Sequence, residues 1–197
     1  NALWQWNRLL HGGKLLKAET YQQMITPLDA AAQSDRNYGF GISRGQLRGM
    51  QELQHGGGIN GFVSLLVYLP QQQVTVAMLR NSDGPGPDLN YLSRKIAAFA
   101  SGNPYPEYQP VSLTEAQLDE ITGVYNKGDD SRTLEVRDGK LFSTRAGGRP
   151  FELIAQGNDS FGFIDSVTRL VIERDQKGNA TALRMFYDGD GEGEIWQ

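Results

Sequence analysis

The 197 residues carry 39% hydrophobic and 21% charged side chains, a globular balance with enough apolar material for a sizeable core and a length that permits one domain or two. A net charge of -4 without any Lys/Arg cluster removes the electrostatic footprint of nucleic-acid or anionic-membrane binding. No cysteine is present, His11 and His55 lie outside H-E-x-x-H or comparable ligand spacing, and no apolar run is long enough to span a bilayer. Disulfides and thiolate chemistry are thereby excluded, and neither a metal nor another cofactor is expected.

The chain opens on Asn1-Ala2-Leu3-Trp4-Gln5-Trp6, which lacks the charged start and apolar middle of a signal peptide and begins within a helical pattern; the sequence is therefore expected to be part of a longer protein. Leu3, Trp6 and Leu10 recur at helical spacing up to Gly12-Gly13. A second helix is predicted over 18–25, with Tyr21, Met24 and Ile25 together and Pro27 beyond its end. Residues 28–36 read as a loop. Four strands are predicted at 38–43, 47–54, 61–69 and 74–79. The last two are almost wholly apolar, which predicts a sheet covered on both faces and hence an α/β unit. After Pro87, Leu89, Leu92, Ile96 and Phe99 form the apolar stripe of a covering helix, broken at Gly102-Asn103-Pro104. The proline-rich stretch 102–111 reads as a linker between a first domain, 1–101, and a second, 112–197.

In the second domain Ser112 and Glu115 have capping-box spacing ahead of a short helix bearing Leu118 and Ile121. Strands 133–137 and 140–145 flank Asp138-Gly139, a pair suited to the mirror-image hairpin turns. Further strands at 151–155, 160–164, 169–174, 182–187 and 194–196 complete a meander that closes best as a small antiparallel barrel. Phe142, Phe151, Phe161, Phe163, Met185, Phe186 and Trp196 are available to fill it. The acidic run Asp188-Gly189-Asp190-Gly191-Glu192 lacks the spacing of a calcium loop and reads as a solvated turn.

The chemistry-bearing feature is Gln54-His55-Gly56-Gly57-Gly58-Ile59-Asn60-Gly61-Phe62, read as a glycine run at the start of a buried strand. Glycines weaken strands, so a run of them is either a bend beside a surface histidine or a place where a ligand or another backbone comes close. In the second reading bare backbone N–H groups can reach a developing oxyanion.

Tyr38-Gly39-Phe40-Gly41, then His55-Gly56-Gly57-Gly58, Gly61-Phe62, Tyr68-Leu69-Pro70 and the run Val74 to Asn81 together resemble serine β-lactamase-related proteins of the class C, D-alanyl-D-alanine peptidase and esterase group. Trp6-Asn7-Arg8-Leu9-Leu10 and Gly13-Lys14-Leu15-Leu16 are similar to the helix and loop that precede this region in that family. The segments Ile121 to Tyr125, Asp138 to Leu141 and Gly178 to Leu183 resemble the lipocalin-like domain often appended to these hydrolases.

In the family, a strand bearing Lys-Thr-Gly, His-Thr-Gly or His-Gly-Gly lines the active site. The resemblance implies that His55 contacts a substrate carboxylate or adjacent polar group, that Gly56 and Gly57 line the substrate site, with Gly57 giving clearance beside the nucleophile, and that the N–H of Gly58 forms half the oxyanion hole. It also implies an acyl-enzyme mechanism on a β-lactam, D-amino-acid peptide or ester, and export to the periplasm or cell surface. The family's nucleophile lies in Ser-x-x-Lys, with the lysine or a Tyr-x-Asn tyrosine as base. Neither motif occurs here, so this chain alone is expected to be inactive. Its expected partners are the missing N-terminal half of the catalytic domain or a second copy of the chain, and in the complete protein a small-molecule or peptide substrate.

Two other readings compete. Gly41-Ile42-Ser43-Arg44-Gly45 matches the G-x-S-x-G of α/β-hydrolases, but there the oxyanion loop precedes the serine and a histidine follows, whereas here no histidine follows His55. Alternatively the chain is a non-catalytic binding module whose barrel holds a small apolar ligand or partner.

Overall fold

The computed structural model describes residues 2–27 and 37–197; the loop expected at 28–36 lies outside them. Two compact units, Asn1–Tyr105 and Pro106–Gln197, divide the chain. Among the described residues no helix is long and apolar enough to cross a membrane.

The first unit is built on a four-stranded antiparallel sheet in the order β1 (Ser43–Leu47), β2 (Met50–Ile59), β3 (Phe62–Leu69), β4 (Val74–Arg80). Two expected boundaries move. The strand predicted at 38–43 is an isolated bridge between Tyr38 and Ser43, because Gly41 at φ +78° and a Gly39 N–H bond to the Ile42 carbonyl turn the chain there. The run 47–54 contains a hairpin turn at Arg48-Gly49, both in the left-handed region, so Leu47 closes β1 and β2 continues to Ile59. The glycine run thus occupies the exposed second half of β2, not the start of a buried strand.

Register defines the two faces. Leu65, Val67, Leu69 and Val76 share one face with Glu52 and are buried. Helix α3 (Leu89–Ala100) packs on β3 and β4, and its Arg94 reaches the buried Glu52 at 3.1 Å. Asp88 caps it by accepting from the Tyr91 N–H at 2.9 Å. Its buried side is Ser93, Ala97 and Ala98 rather than the predicted stripe through Ile96 and Phe99, which are 47% and 77% exposed. Small residues let the helix lie close to the sheet, and closeness outweighs side-chain volume here.

The opposite face carries Leu53, His55, Gly57, Ile59, Phe62, Ser64, Tyr68, Thr75 and Leu79. Helices α1 (Ala2–His11) and α2 (Ala18–Ile25) cover its Tyr68 end: Leu10, Ile25, Ile42 and Leu53 cluster there, and Asn7 Nδ2 donates to Thr75 Oγ1 at 2.9 Å. His11 stacks on Tyr68 at 4.4 Å and its Nδ1 lies 2.7 Å from the Tyr21 hydroxyl. The other end is not covered by any described residue in the way predicted: Ile59, Phe62 and Leu79 are 73%, 56% and 73% exposed.

The second unit begins with helix α4 (Glu115–Asp119), whose capping box is formed by Thr114 and Gln117 instead of Ser112 and Glu115. The Thr114 side chain accepts from the Gln117 N–H, while Gln117 Oε1 accepts from the Thr114 N–H at 2.9 Å. Eight strands then follow in sequence: β5 (Gly123–Lys127), β6 (Asp130–Arg137), β7 (Lys140–Arg145), β8 (Phe151–Ala155), β9 (Ser160–Phe163), β10 (Arg169–Arg174), β11 (Ala180–Phe186) and β12 (Glu194–Trp196). Asn126 and Gln197 exchange backbone bonds, bringing the two edges together into a nearly closed antiparallel barrel. Asp138 at φ 50° and Gly139 at φ 73° make the β6–β7 turn as expected. Leu134, Leu141, Phe161, Leu170, Leu183, Met185 and Trp196 fill the interior with Leu118 and Ile121 of the helical segment. Of the other aromatics expected there, Phe163 packs against this core, whereas Phe151 is exposed and Phe142 and Phe186 are only partly buried, lying under Arg137 and Arg169 respectively. Arg132 is buried among these side chains, donating to Ser143 Oγ at 2.8 Å with its guanidinium over the Trp196 ring.

Candidate active site

The site is assembled from one strand edge. Arg44 directs its N–H to the Asn37 carbonyl at 2.8 Å, away from β2. Because backbone groups alternate sides along an antiparallel strand, the adjacent Ser43 faces β2 and Gln54 opposite it faces β1. Two and four residues on, Gly56 and Gly58 therefore present N–H and C=O on that same side, where β1 has already ended at Ser43. His55, Gly57 and Ile59 bond instead to Leu66, Ser64 and Phe62 of β3. Among the described residues the result is a bare edge bearing two unshielded glycine N–H groups.

The chain's own packing does not require most of this glycine. None of Gly56, Gly57 and Gly58 has a positive φ. A Cβ on Gly58 would come no closer than 3.8 Å to Val63, and one on Gly56 would sit 3.5 Å from the Ser64 carbonyl, both ordinary contacts. Only at Gly57 is there crowding, 2.9 Å from the rotatable Ser64 Oγ. By contrast Gly61, at φ +81°, serves the hairpin turn, and its N–H is held by Asp83 Oδ2 at 2.8 Å. That bond keeps the Asp83 carboxyl below its usual range.

A groove of about 370 Å³ runs along this edge, with Trp6, Gly41, His55, Gly56, Gly57 and Ser64 in its walls. A second, of about 590 Å³, lies past Gly58 against Ile59, Phe62 and Leu79. The structure thus brings His55, Gly56, Gly57 and Gly58 to one rim. It adds Tyr38, whose hydroxyl lies 2.9 Å from His55 Nε2, and Ser64, whose Oγ lies across from Gly57. No local pattern in the sequence points to either residue; Tyr38 stands in the Tyr-Gly-Phe-Gly motif, but only the turn at Gly41 carries it to His55. His11 also reaches the first groove, and burial lowers its pKa to about 4. Ser43 lies within the sheet, paired with Gln54, rather than on the strand-to-helix elbow that an α/β-hydrolase needs. Among the described residues no group of three potential metal-ligating side chains comes together.

An antiparallel sheet with helices on both faces, and a His-Gly-Gly run along its bare edge, has the architecture of the serine β-lactamase and penicillin-binding-protein class. Residues 2–101 match the family model described as Beta-lactamase, and the chain belongs to that family. It is 26% identical over 123 residues to a D-aminopeptidase of Gluconobacter oxydans (strain 621H), an alignment covering 60% of this chain and 23% of that protein. Among solved structures it is similar to the octameric penicillin-binding protein homologue from Pyrococcus abyssi, with 16% identity, a TM-score of 0.46, and coverage of 98% of this chain and 45% of that one. A structure of SurE with D-Leu matches with 18% identity and a TM-score of 0.38, over 95% of this chain and 47% of that one. The chain thus spans under a quarter of the D-aminopeptidase and under half of either solved chain.

Proposed function

We propose that this chain supplies the oxyanion and substrate-binding wall of a serine hydrolase that forms an acyl-enzyme with a β-lactam, a D-amino-acid peptide or an ester. The observation that carries the reading is the β2 edge left bare among the described residues, where Gly56 and Gly58, unneeded by internal packing, turn their N–H groups outward, Gly56 lining the first groove and Gly58 the second. The Gly58 N–H donates to the carbonyl oxygen as it becomes an oxyanion, and His55 binds the substrate's carboxylate or a neighbouring polar group. Gly56 and Gly57 let the scissile bond lie flat against the strand. The nucleophile is a serine of a Ser-x-x-Lys segment outside these 197 residues, which removes its proton to the lysine or to a Tyr-x-Asn tyrosine. That segment, the amino-terminal half of the catalytic domain, packs on the open face bearing Ile59, Phe62 and Leu79. The complete enzyme works in the periplasm or at the cell surface.

The test is Gly58→Pro in the complete enzyme. Proline deletes the outward N–H without touching the β2–β3 ladder, so the protein folds while kcat falls by about 10²–10³, the usual cost of losing one oxyanion donor. Undiminished kcat on nitrocefin, a D-alanyl anilide and p-nitrophenyl acetate alike would refute the assignment.

A further inference from the structure

We propose that Tyr38 is a positioning residue that fixes the proton of neutral His55 on Nδ1, so that the imidazole offers the substrate an N–H donor. This deepens the functional reading above and rests on it for the substrate's presence at His55. The hydrogen bond itself is geometric: Tyr38 Oη lies 2.9 Å from His55 Nε2, with ring centroids 6.0 Å apart and the rings tilted by 42°. A phenol is a better donor than a neutral imidazole N–H, so its proton points at Nε2, which must then be the unprotonated nitrogen. Among the described residues no group bonds Nδ1, which is left as the donor on the exposed side of β2.

The segment bearing Tyr38 is constrained as positioning requires. The Phe40 N–H bonds the Met24 carbonyl at 2.9 Å, using an acceptor left over at the end of α2. Gly39 passes so close to that carbonyl that a Cβ would stand 2.3 Å from it, and Gly41 turns at φ +78°. Both glycines of Tyr-Gly-Phe-Gly are therefore needed to place the one side chain between them and Asn37 against His55. The motif's spacing is explained by the hydroxyl it delivers.

His11 provides an internal contrast. There the tyrosine hydroxyl, that of Tyr21, meets Nδ1 at 2.7 Å, so the same argument puts the His11 proton on Nε2. The two histidines of one chain are thus expected in opposite tautomers.

Nitrogen-15 NMR of the 197-residue chain, at a pH where the imidazoles are neutral, reads this directly, since a bare ring nitrogen resonates far downfield of one bearing a proton. The expected spectrum has the bare nitrogen at Nε2 in His55 and at Nδ1 in His11. In Tyr38→Phe the His55 nitrogens move toward averaged shifts while those of His11 stay in place, an unfolding-independent check. A His55 proton on Nε2 in the unaltered chain, or an unchanged His55 spectrum in Tyr38→Phe, overturns the assignment. In the complete enzyme Tyr38→Phe is expected to raise KM by about tenfold, the worth of one hydrogen bond, with kcat changed less. If the tautomer shifts but KM does not, Tyr38 still orients His55, but the proposal that this donor serves the substrate is overturned.

Discussion

At the scale of single residues, the direction of each backbone group along β2 decides what a substitution does. Gly57→Pro, unlike Gly58→Pro, removes an N–H engaged in the ladder with Ser64, and is expected to lower Tm strongly where Gly58→Pro lowers it little. Thermal melts of the two variants side by side check this, and equal losses would mean that the edge has been assigned to the wrong residues. His11 sets a second expectation. Burial lowers its pKa from the ordinary 6.5 to about 4, so between those values the unfolded chain binds the proton and the folded one does not. Stability therefore rises with pH through that window and is lost on acidification. The side chain is only half-buried, which reduces the effect to about 1–2 kcal/mol. Denaturation midpoints of the unaltered chain and of His11→Gln, compared at pH 4.5 and 7 (roughly the window's ends), should differ in pH slope; identical slopes would contradict it. The sequence disclosed the His-Gly-Gly-Gly run because glycine in a strand pattern is anomalous wherever it occurs. Tyr38 was hidden because its role depends on a contact across 17 positions, which no local pattern encodes.

At the scale of elements, local signals read well when two levels agreed and poorly when they competed. Asp138-Gly139 was legible because strand formers on either side left it no other conformation. Arg48-Gly49 was not, since it sits between Leu47 and Met50 and the run reads as continuous strand. The helix 89–100 is legible in the sequence, but its buried side is not, because apolar volume points to Ile96 and Phe99 while the sheet accepts Ala97 and Ala98. Ala97→Leu should then destabilise by about 1–3 kcal/mol through overpacking, and Phe99→Ser by under about 0.5. The α4 cap offers a cleaner comparison. Thr114→Ala should cost about 1 kcal/mol and Ser112→Ala almost nothing, because only Thr114 accepts the Gln117 N–H. Urea titrations followed by circular dichroism separate the pairs, and a larger loss at Ser112 would restore the cap expected from spacing alone.

For the molecule as a whole, the sheet, barrel and helices follow from periodicity, whereas the half-open apolar face does not: strands 61–69 and 74–79 read as buried on both sides. Ile59, Phe62 and Leu79 stand on the end that α1 and α2 leave uncovered. Burying each such side chain stabilises by about 1.5–3 kcal/mol, a driving force for association. The isolated chain is expected to self-associate or bind hydrophobic dyes, and Phe62→Ser with Leu79→Glu to suppress both; light scattering that finds a dye-negative monomer of the unaltered chain would contradict this.

The central claim, that these residues provide an active-site wall whose nucleophile lies elsewhere, is met most directly by intact-mass analysis after exposure to a penicillin and to a fluorophosphonate. The 197-residue chain alone should gain no adduct. When the same chain is joined to the proposed amino-terminal Ser-x-x-Lys segment, one adduct should form, on the serine of that segment. An adduct on Ser43 or Ser64 of the isolated chain would contradict the claim.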